Sequence, residues 1–273
     1  MSHYQVEGDD PCDWTDWEAA GKTRGGPCGR AAGSWERYEE DAGAAAALGA
    51  NAFRFSVSWS RVEPRRGELD EAALERYARL VAVLHALGLE PIVTLLHYAH
   101  PRWFHAETPW TSTASVAAFA RFARAVARSL GPAARCWTVL NEPFVLVLGG
   151  FLDGQVPPGL SSGRDASRAL DHLLAAHEAA AARIREATPG AAIGVAHNMM
   201  AFAPERPGNV VDRLLVRVGH RFYNRTLLDA FGEGRWNAYL PPFTRLSGRR
   251  PGRPSSLDFL GVNYYSRLHL RFL

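Results

Sequence analysis

The chain has 273 residues, of which 47% are hydrophobic and 22% charged, an ordinary soluble globular balance that leaves room for one α/β barrel or two smaller domains. The formal net charge is only +3, and the basic residues, 30 arginines and the single Lys22, are scattered through helical stretches, which argues against a nucleic-acid partner. Three cysteines, Cys12, Cys28 and Cys136, show no C-x-x-C pair, so neither a disulfide framework nor a structural zinc site is expected; no apolar stretch approaches the length of a membrane span.

The opening residues Met1 to Gln5 lack a basic region followed by an apolar core, so no secretory leader is read there and a cytoplasmic location is expected. His3-Tyr4-Gln5-Val6 reads as the tail of a first strand. Ser34 to Leu48 is helical, with Gly49 as its stop. The apolar run 52–57 is a strand. Asp70 caps a helix whose stripe is Leu74, Tyr77, Val81 and Leu84, ended by Gly88. A strand over 91–96 follows, then a helix from Thr113 to Leu130 closed by Gly131-Pro132. Cys136 to Leu140 is a buried strand. A helix from Asp165 to Glu186, a strand over 192–196, a helix from Val210 to Phe231 and a strand over 257–263 complete the series. The Pro/Gly/Arg-rich stretch from Ser247 to Pro254 reads as a surface loop.

Six strands and five helices in alternation imply a parallel sheet with helices outside. A (β/α)8 barrel needs eight strands, so the fold is either another one or an incomplete barrel. Residues 1–273 are read as one unit, because no linker or low-complexity break divides them.

Polar residues recur where the apolar runs end: Gln5, Arg54 within its strand, His97, Asn141 with Glu142, Asn198, and Asn263 with Tyr265. In a barrel these converge on one mouth, and convergent polar groups beside aromatic faces suit a sugar. Asn141-Glu142-Pro143 is the most pointed case. It places a carboxylate just past a buried strand, and the proline, which lacks an N–H, stops the ladder there. Arg54 in an apolar strand needs a partner. Trp103 and Trp110 read as packing at the rim, and His100 and His105 as exposed loop histidines. Asn198 admits both a sugar-contact and a structural reading.

At these residues the chain resembles glycoside hydrolase family 1, the β-glucosidase family. The matching segments are Tyr4-Gln5-Val6-Glu7-Gly8, the stretch from Trp35 to Asp41, Phe53 to Pro64 including Ser58-Trp59-Ser60, Thr94 to Tyr98 with Pro101 and Trp103, Thr138 to Pro143, and Asp258 to Tyr265. The resemblance implies a (β/α)8 barrel and retaining hydrolysis of β-glycosides, with no metal and no organic cofactor. It implies Glu142 as general acid/base, Gln5, His97 and Asn141 as binders of sugar hydroxyls, and Arg54, Asn263 and Tyr265 as supports of a nucleophilic carboxylate. The family carries that nucleophile in a Thr-Glu-Asn-Gly motif on its seventh strand, and this sequence contains no such motif. About six of eight strand–helix units are legible. Three readings follow: a glycosidase of which this is a truncated part, a non-hydrolytic sugar-binding relic, or one piece of a split enzyme completed by a second polypeptide. The sugar, the aglycone and the choice between free and phosphorylated sugar stay open.

Overall fold

The computed structural model describes residues 2–23, 25–240, 244–249 and 257–272. In chain order the helices and strands are α1 (His3–Val6), α2 (Asp13–Ala19), α3 (Ser34–Ala47), β1 (Ala52–Ser56), α4 (Trp59–Val62), α5 (Glu71–Ala86), β2 (Glu90–Leu96), α6 (Arg102–Glu107), α7 (Ala114–Leu130), β3 (Cys136–Asn141), α8 (Pro143–Val147), α9 (Gly163–Ala187), β4 (Ala192–Asn198), β5 (Ala201–Pro204), α10 (Val210–His220), α11 (Thr226–Glu233), β6 (Arg235–Leu240), β7 (Thr244–Arg249), β8 (Phe259–Asn263) and β9 (Arg267–Leu270).

Among the described residues the main sheet has five strands in the order β1-β2-β3-β4-β8, every pair parallel. Parallel neighbours need a crossover between them; the crossovers here carry α5, α7 and α9 and, between β4 and β8, α10 with α11. The sheet with its outer helices is an incomplete (β/α)8 barrel. Strands β2 and β3 are buried along most of their length, as expected of strands covered on both faces.

Local sequence explains the helices. The Asp70 side chain accepts from the Ala73 N–H at 3.0 Å, and the Ser162 hydroxyl accepts from Asp165 N–H at 3.2 Å; each satisfies an otherwise orphaned amide. Helix α7 buries Phe119, Phe122, Val126 and Leu130 on one stripe, which faces α5 and α9. The densest packing surrounds Trp59, which is 1% exposed: its ring lies 5.1 Å from Phe122, 5.0 Å from Phe104 and 5.5 Å from Phe119. Its indole N–H donates to the buried Glu63 carboxylate at 2.8 Å, and Arg121 Nε binds that carboxylate at 3.1 Å. Gly194 in β4 lets β8 approach, since a Cβ there would meet the Phe259 ring at 2.6 Å.

Four readings of the sequence need correction. His3–Val6 is not a strand tail but a short helix, closed by a reciprocal cap between Ser2 and Gln5. The stretch from Val210 to Phe231 is not one helix: a wider π-type turn at Arg221–Arg225 separates α10 from α11. Of the expected loop from Ser247 to Pro254, Ser247 to Arg249 pair in the antiparallel β6–β7 hairpin, and residues 250–254 lie outside the described residues. His100 and His105 are not exposed. His100 is fully buried and donates from Nδ1 to Asp13 Oδ2 at 2.9 Å, while His105 Nε2 meets the same oxygen at 2.8 Å. Their partner stands 87 and 92 residues away in sequence, which is why local context suggested solvent. Trp103 and Trp110 are buried packing residues, as read. No described helix is long and apolar enough to cross a membrane.

Candidate active site

The C-terminal ends of β1 to β4 and β8 meet at one mouth. Glu142 follows β3 in the left-handed region, at φ 48° and ψ 53°, where a non-glycine residue is strained. Its N–H donates to the Ala196 carbonyl at 2.7 Å, which ties the turn to β4, and Pro143 begins α8 immediately after. The side chain, 5% exposed, is thus held over the strand ends rather than in solvent.

Two side-chain donors hold the carboxylate. Asn263, at the end of β8, donates from Nδ2 to Glu142 Oε1 at 2.6 Å and lies 3.3 Å from Asn141 Oδ1. The Tyr98 hydroxyl donates to Oε2. Tyr98 is itself in the left-handed region at φ 73°, so two strained residues face each other across the mouth. Burial, then the Glu142 charge and the hydrogen bond to it, push the Tyr98 hydroxyl far up, which keeps it a donor. Tyr265 is largely exposed; burial and then the same carboxylate raise its hydroxyl. Tyr223 also faces Glu142, and burial together with that charge pushes its hydroxyl up to about 12.

Arg54 lies on β1, two strands from β3 across β2. Its Nη2 donates to Asn141 Oδ1 at 2.6 Å and its Nε to Thr94 Oγ1 at 2.9 Å. The partner expected for this half-buried guanidinium is therefore an amide and a hydroxyl among the described residues, with no carboxylate ion pair there. Desolvation lowers the Arg54 pKa against the nearby Tyr265 and Glu142. His97 Nδ1 pairs with the Ser56 hydroxyl at 2.9 Å. Burial, aided by the Arg54 charge, brings the imidazole down to about 2, so it is neutral and can exchange one hydrogen bond with a hydroxyl. Gln5 is exposed on α1 and lines a cavity of about 230 Å³ together with Tyr4, Trp14, Tyr98, Leu146 and Val156.

The structure thus brings Arg54, His97, Asn141, Glu142, Asn263 and Tyr265 to one mouth, with Gln5 on the cavity beside Tyr98. Asn198 pairs in register with Asn263 at the same strand ends. Sequence reasoning passed over Tyr98, Tyr223, Ser56 and Thr94 as site residues. The signal available for Tyr98 and Thr94 was their place next to His97 on a strand end. For Tyr223, in the turn between α10 and α11, there was none.

Chemically, the mouth offers one carboxylate, a neutral imidazole, a guanidinium, amides and phenols. That set can bind a polyhydroxylated ligand and move one proton at Glu142. Among the described residues no metal-type cluster includes Glu142.

Comparison with known proteins places these observations in a frame. A sequence model described as Glycosyl hydrolase family 1 matches residues 3–271. Beta-glucosidase A of Thermotoga maritima is 30% identical over 285 residues, covering 98% of this chain and 64% of that protein. The 6-phospho-beta-glucosidase GmuD of Bacillus subtilis is 30% identical, covering 85% of this chain and 52% of GmuD. The solved beta-glucosidase of Thermotoga maritima in complex with glucoimidazole superposes with a TM-score of 0.87 at 27% identity, covering all of this chain and 65% of that one. The chain spans about half to two thirds of the length of these relatives.

Proposed function

The chain belongs to glycosyl hydrolase family 1, and on that premise we propose that it is the part of a retaining β-glycosidase, β-glucosidase-like, that carries the general acid/base. The observation that carries this reading is the placement of Glu142: past the end of β3, in strained backbone, its two carboxylate oxygens held by Asn263 and Tyr98.

Retaining hydrolysis uses two carboxyl groups about 5–5.5 Å apart. Glu142 gives its proton to the glycosidic oxygen as that bond breaks. The second carboxylate attacks the anomeric carbon and forms a glycosyl-enzyme. Glu142, now a carboxylate, takes a proton from water, whose oxygen displaces the enzyme ester. Gln5, His97 and Asn141 bind hydroxyls of the sugar in this reading, and Arg54, Asn263 and Tyr265 hold the second carboxylate. No metal or organic cofactor takes part in the proposed steps. The sequence contains no Thr-Glu-Asn-Gly motif to supply that carboxylate, so residues 1–273 by themselves are expected to be inactive. Residues 1–273 act as one partial barrel in this reading, in the cytoplasm, on a small β-glycoside. Whether the sugar is free or phosphorylated is the finer question, and relatives of both descriptions match.

A second reading is a split glycosidase, in which another polypeptide supplies the nucleophile strand. The exposed flank of β8, where Leu260 is 39% and Val262 56% exposed, supports it.

One experiment tests the acid/base assignment. The chain is assayed on aryl β-glucosides together with a polypeptide carrying the family's nucleophile segment, fused or separate. Glu142→Gln is expected to lower turnover by about 10²–10⁴-fold for poor leaving groups and far less for good ones. Equal losses across leaving groups overturn the assignment. Activity restored only by the separate polypeptide favours the split enzyme.

A further inference from the structure

We propose that His3, Glu7 and Asp10 form a buried site for a divalent metal ion of the zinc class, separate from the mouth at Glu142. His3 opens α1 and Glu7, four residues on, caps its C-terminus with helical backbone, which puts both side chains on one face of that turn. Gly8 then turns the chain back, at φ 79° and against the Arg30 carbonyl, where a Cβ would collide, and Asp10 returns to the same face. The three side chains are buried, at 1%, 6% and 2% exposure, and their ligand-type atoms all lie within 4.8 Å of one another.

The hydrogen-bond inventory of this cluster is incomplete in a way that points to a ligand. Asp10 Oδ1 is buried and accepts no hydrogen bond. His3 Nδ1 lies 2.6 Å from Asp10 Oδ2, an ion-pair contact, and has no other partner. Buried polar atoms are nearly always satisfied, and one cation bound by Asp10 Oδ1 and by His3 Nδ1, in place of the proton that His3 shares with Asp10, satisfies the orphaned oxygen. Of the other carboxylate contacts, Arg61 Nε lies 3.4 Å from Glu7 Oε2, and the rest have the form of outer supports. Ser58 Oγ donates to Asp10 Oδ2 at 2.6 Å, and the Tyr77 hydroxyl donates to both Glu7 oxygens at 2.8 and 3.0 Å. Ligating carboxylates are typically oriented by such donors. A nitrogen with two carboxylates suits zinc, cobalt or manganese better than calcium or magnesium, which prefer all-oxygen shells.

The contrast with Asp13, His100 and His105, a second cluster of metal-ligand type, sharpens the choice. There the Trp110 indole N–H donates to His100 Nε2 at 2.8 Å, so His100 carries its proton on Nδ1 and spends it on Asp13. A metal at His100 Nδ1 would need the opposite tautomer and would face the indole proton. In that cluster the proton of His100 is already committed to Asp13 and only His105 Nδ1 lacks a partner; in the cluster around His3 the orphaned atom is a carboxylate oxygen, Asp10 Oδ1.

The test uses the whole chain, stripped with a chelator and titrated with Co²⁺ as a spectroscopic probe and with Zn²⁺ against a chromophoric competitor. One equivalent is expected to bind. His3→Gln and Asp10→Asn are each expected to weaken it by at least tenfold, and His105→Gln to leave it unchanged. X-ray absorption on the wild-type cobalt form reads the ligands without any substitution: one imidazole with oxygen neighbours is expected. No stoichiometric uptake, uptake that follows His105, a shell with two imidazoles, or folded His3→Gln and Asp10→Asn variants that bind like wild type would each overturn the proposal. The first outcome would identify the cluster as a buried ion pair between His3 and Asp10.

Discussion

The interior of the main sheet and its β8 edge obey the same strand geometry but differ in what covers them. On one side, β2 and β3 lie under α5, α7 and α9, and Trp59, Phe104, Phe119 and Phe122 pack into a core almost without exposure. On the other, β8 is paired only with β4 among the described strands, and Leu260, Val262 and Tyr265 are 39%, 56% and 72% exposed. Backbone pairing and polar side-chain bonds, from the Ile193 N–H to Asp258 and from Asn263 to Glu142, therefore place β8, whereas apolar burial is added to pairing at β2 and β3. The candidate site straddles this divide: Glu142, Asn141, Arg54 and His97 stand on the covered side, and Asn263 and Tyr265 on the open one.

The covered flank should fail first under truncation of its core. Trp59→Ala is expected to remove about 3–5 kcal/mol of stability, measured by urea unfolding, because it opens a cavity ringed by four aromatic side chains. A loss below 1 kcal/mol would show that this core is not what holds the sheet.

Acid should act on the same flank. Burial lowers His97 to about 2 and lowers His100 as well, so both are neutral when folded but take up protons near pH 6.5 when unfolded. Asp13 is also held low: burial opposes its charge, but the hydrogen bonds it receives from His100 and His105 outweigh it. For each of these groups the unfolded chain binds protons more readily, so stability is full above the unfolded pKa and is lost as pH falls towards the folded one. On the order of 2–3 kcal/mol is expected to go between pH 7 and pH 5, with further loss below pH 4 as Asp13 contributes. A urea midpoint that is flat from pH 7 to pH 4 contradicts this.

The junction between the flanks is narrow. Gly194→Val places branched carbons against the Phe259 ring and carbonyl, and an overpacked contact of this kind typically costs about 1–3 kcal/mol. Hydrogen exchange is expected to rise in β8 and to stay unchanged in β2; equal exchange in both strands would mean that β8 does not depend on this approach.

The open flank itself should be the least sensitive. Val262→Ala is expected to change stability by less than about 0.5 kcal/mol. Val262→Lys should reduce self-association measured by light scattering, since charge on an open edge blocks edge-to-edge pairing. Unaltered association would place the sticky surface elsewhere.

Most of the sheet was legible from sequence because each strand is a short apolar run between breakers. Gly88 precedes β2, Gly131-Pro132 precedes β3 and Pro189-Gly190 precedes β4. The position of Glu142 was legible for the same reason: an apolar run, then a polar pair, then proline. What stayed hidden depends on partners far along the chain. The His3–Val6 segment is too short for any periodicity to separate a helical turn from a strand tail. The parallel β5–β9 pair joins segments 66 residues apart in register, from Ala201 to Arg267, with no local signal in either.

By itself, the amino-acid pattern determined the alternation of strands and helices, the parallel sheet and the strand ends on which the polar residues sit, because hydrophobic period and Gly/Pro punctuation act within a few residues. Tertiary structure alone decided that Tyr98 and Asn263 meet Glu142, that Arg54 rests on Asn141 and Thr94, and that His100 and His105 turn inward to Asp13. The physical reason is the same in each case. A buried polar group must find its partner wherever the fold delivers one, and that address is set by strand register and crossover, not by neighbours in sequence.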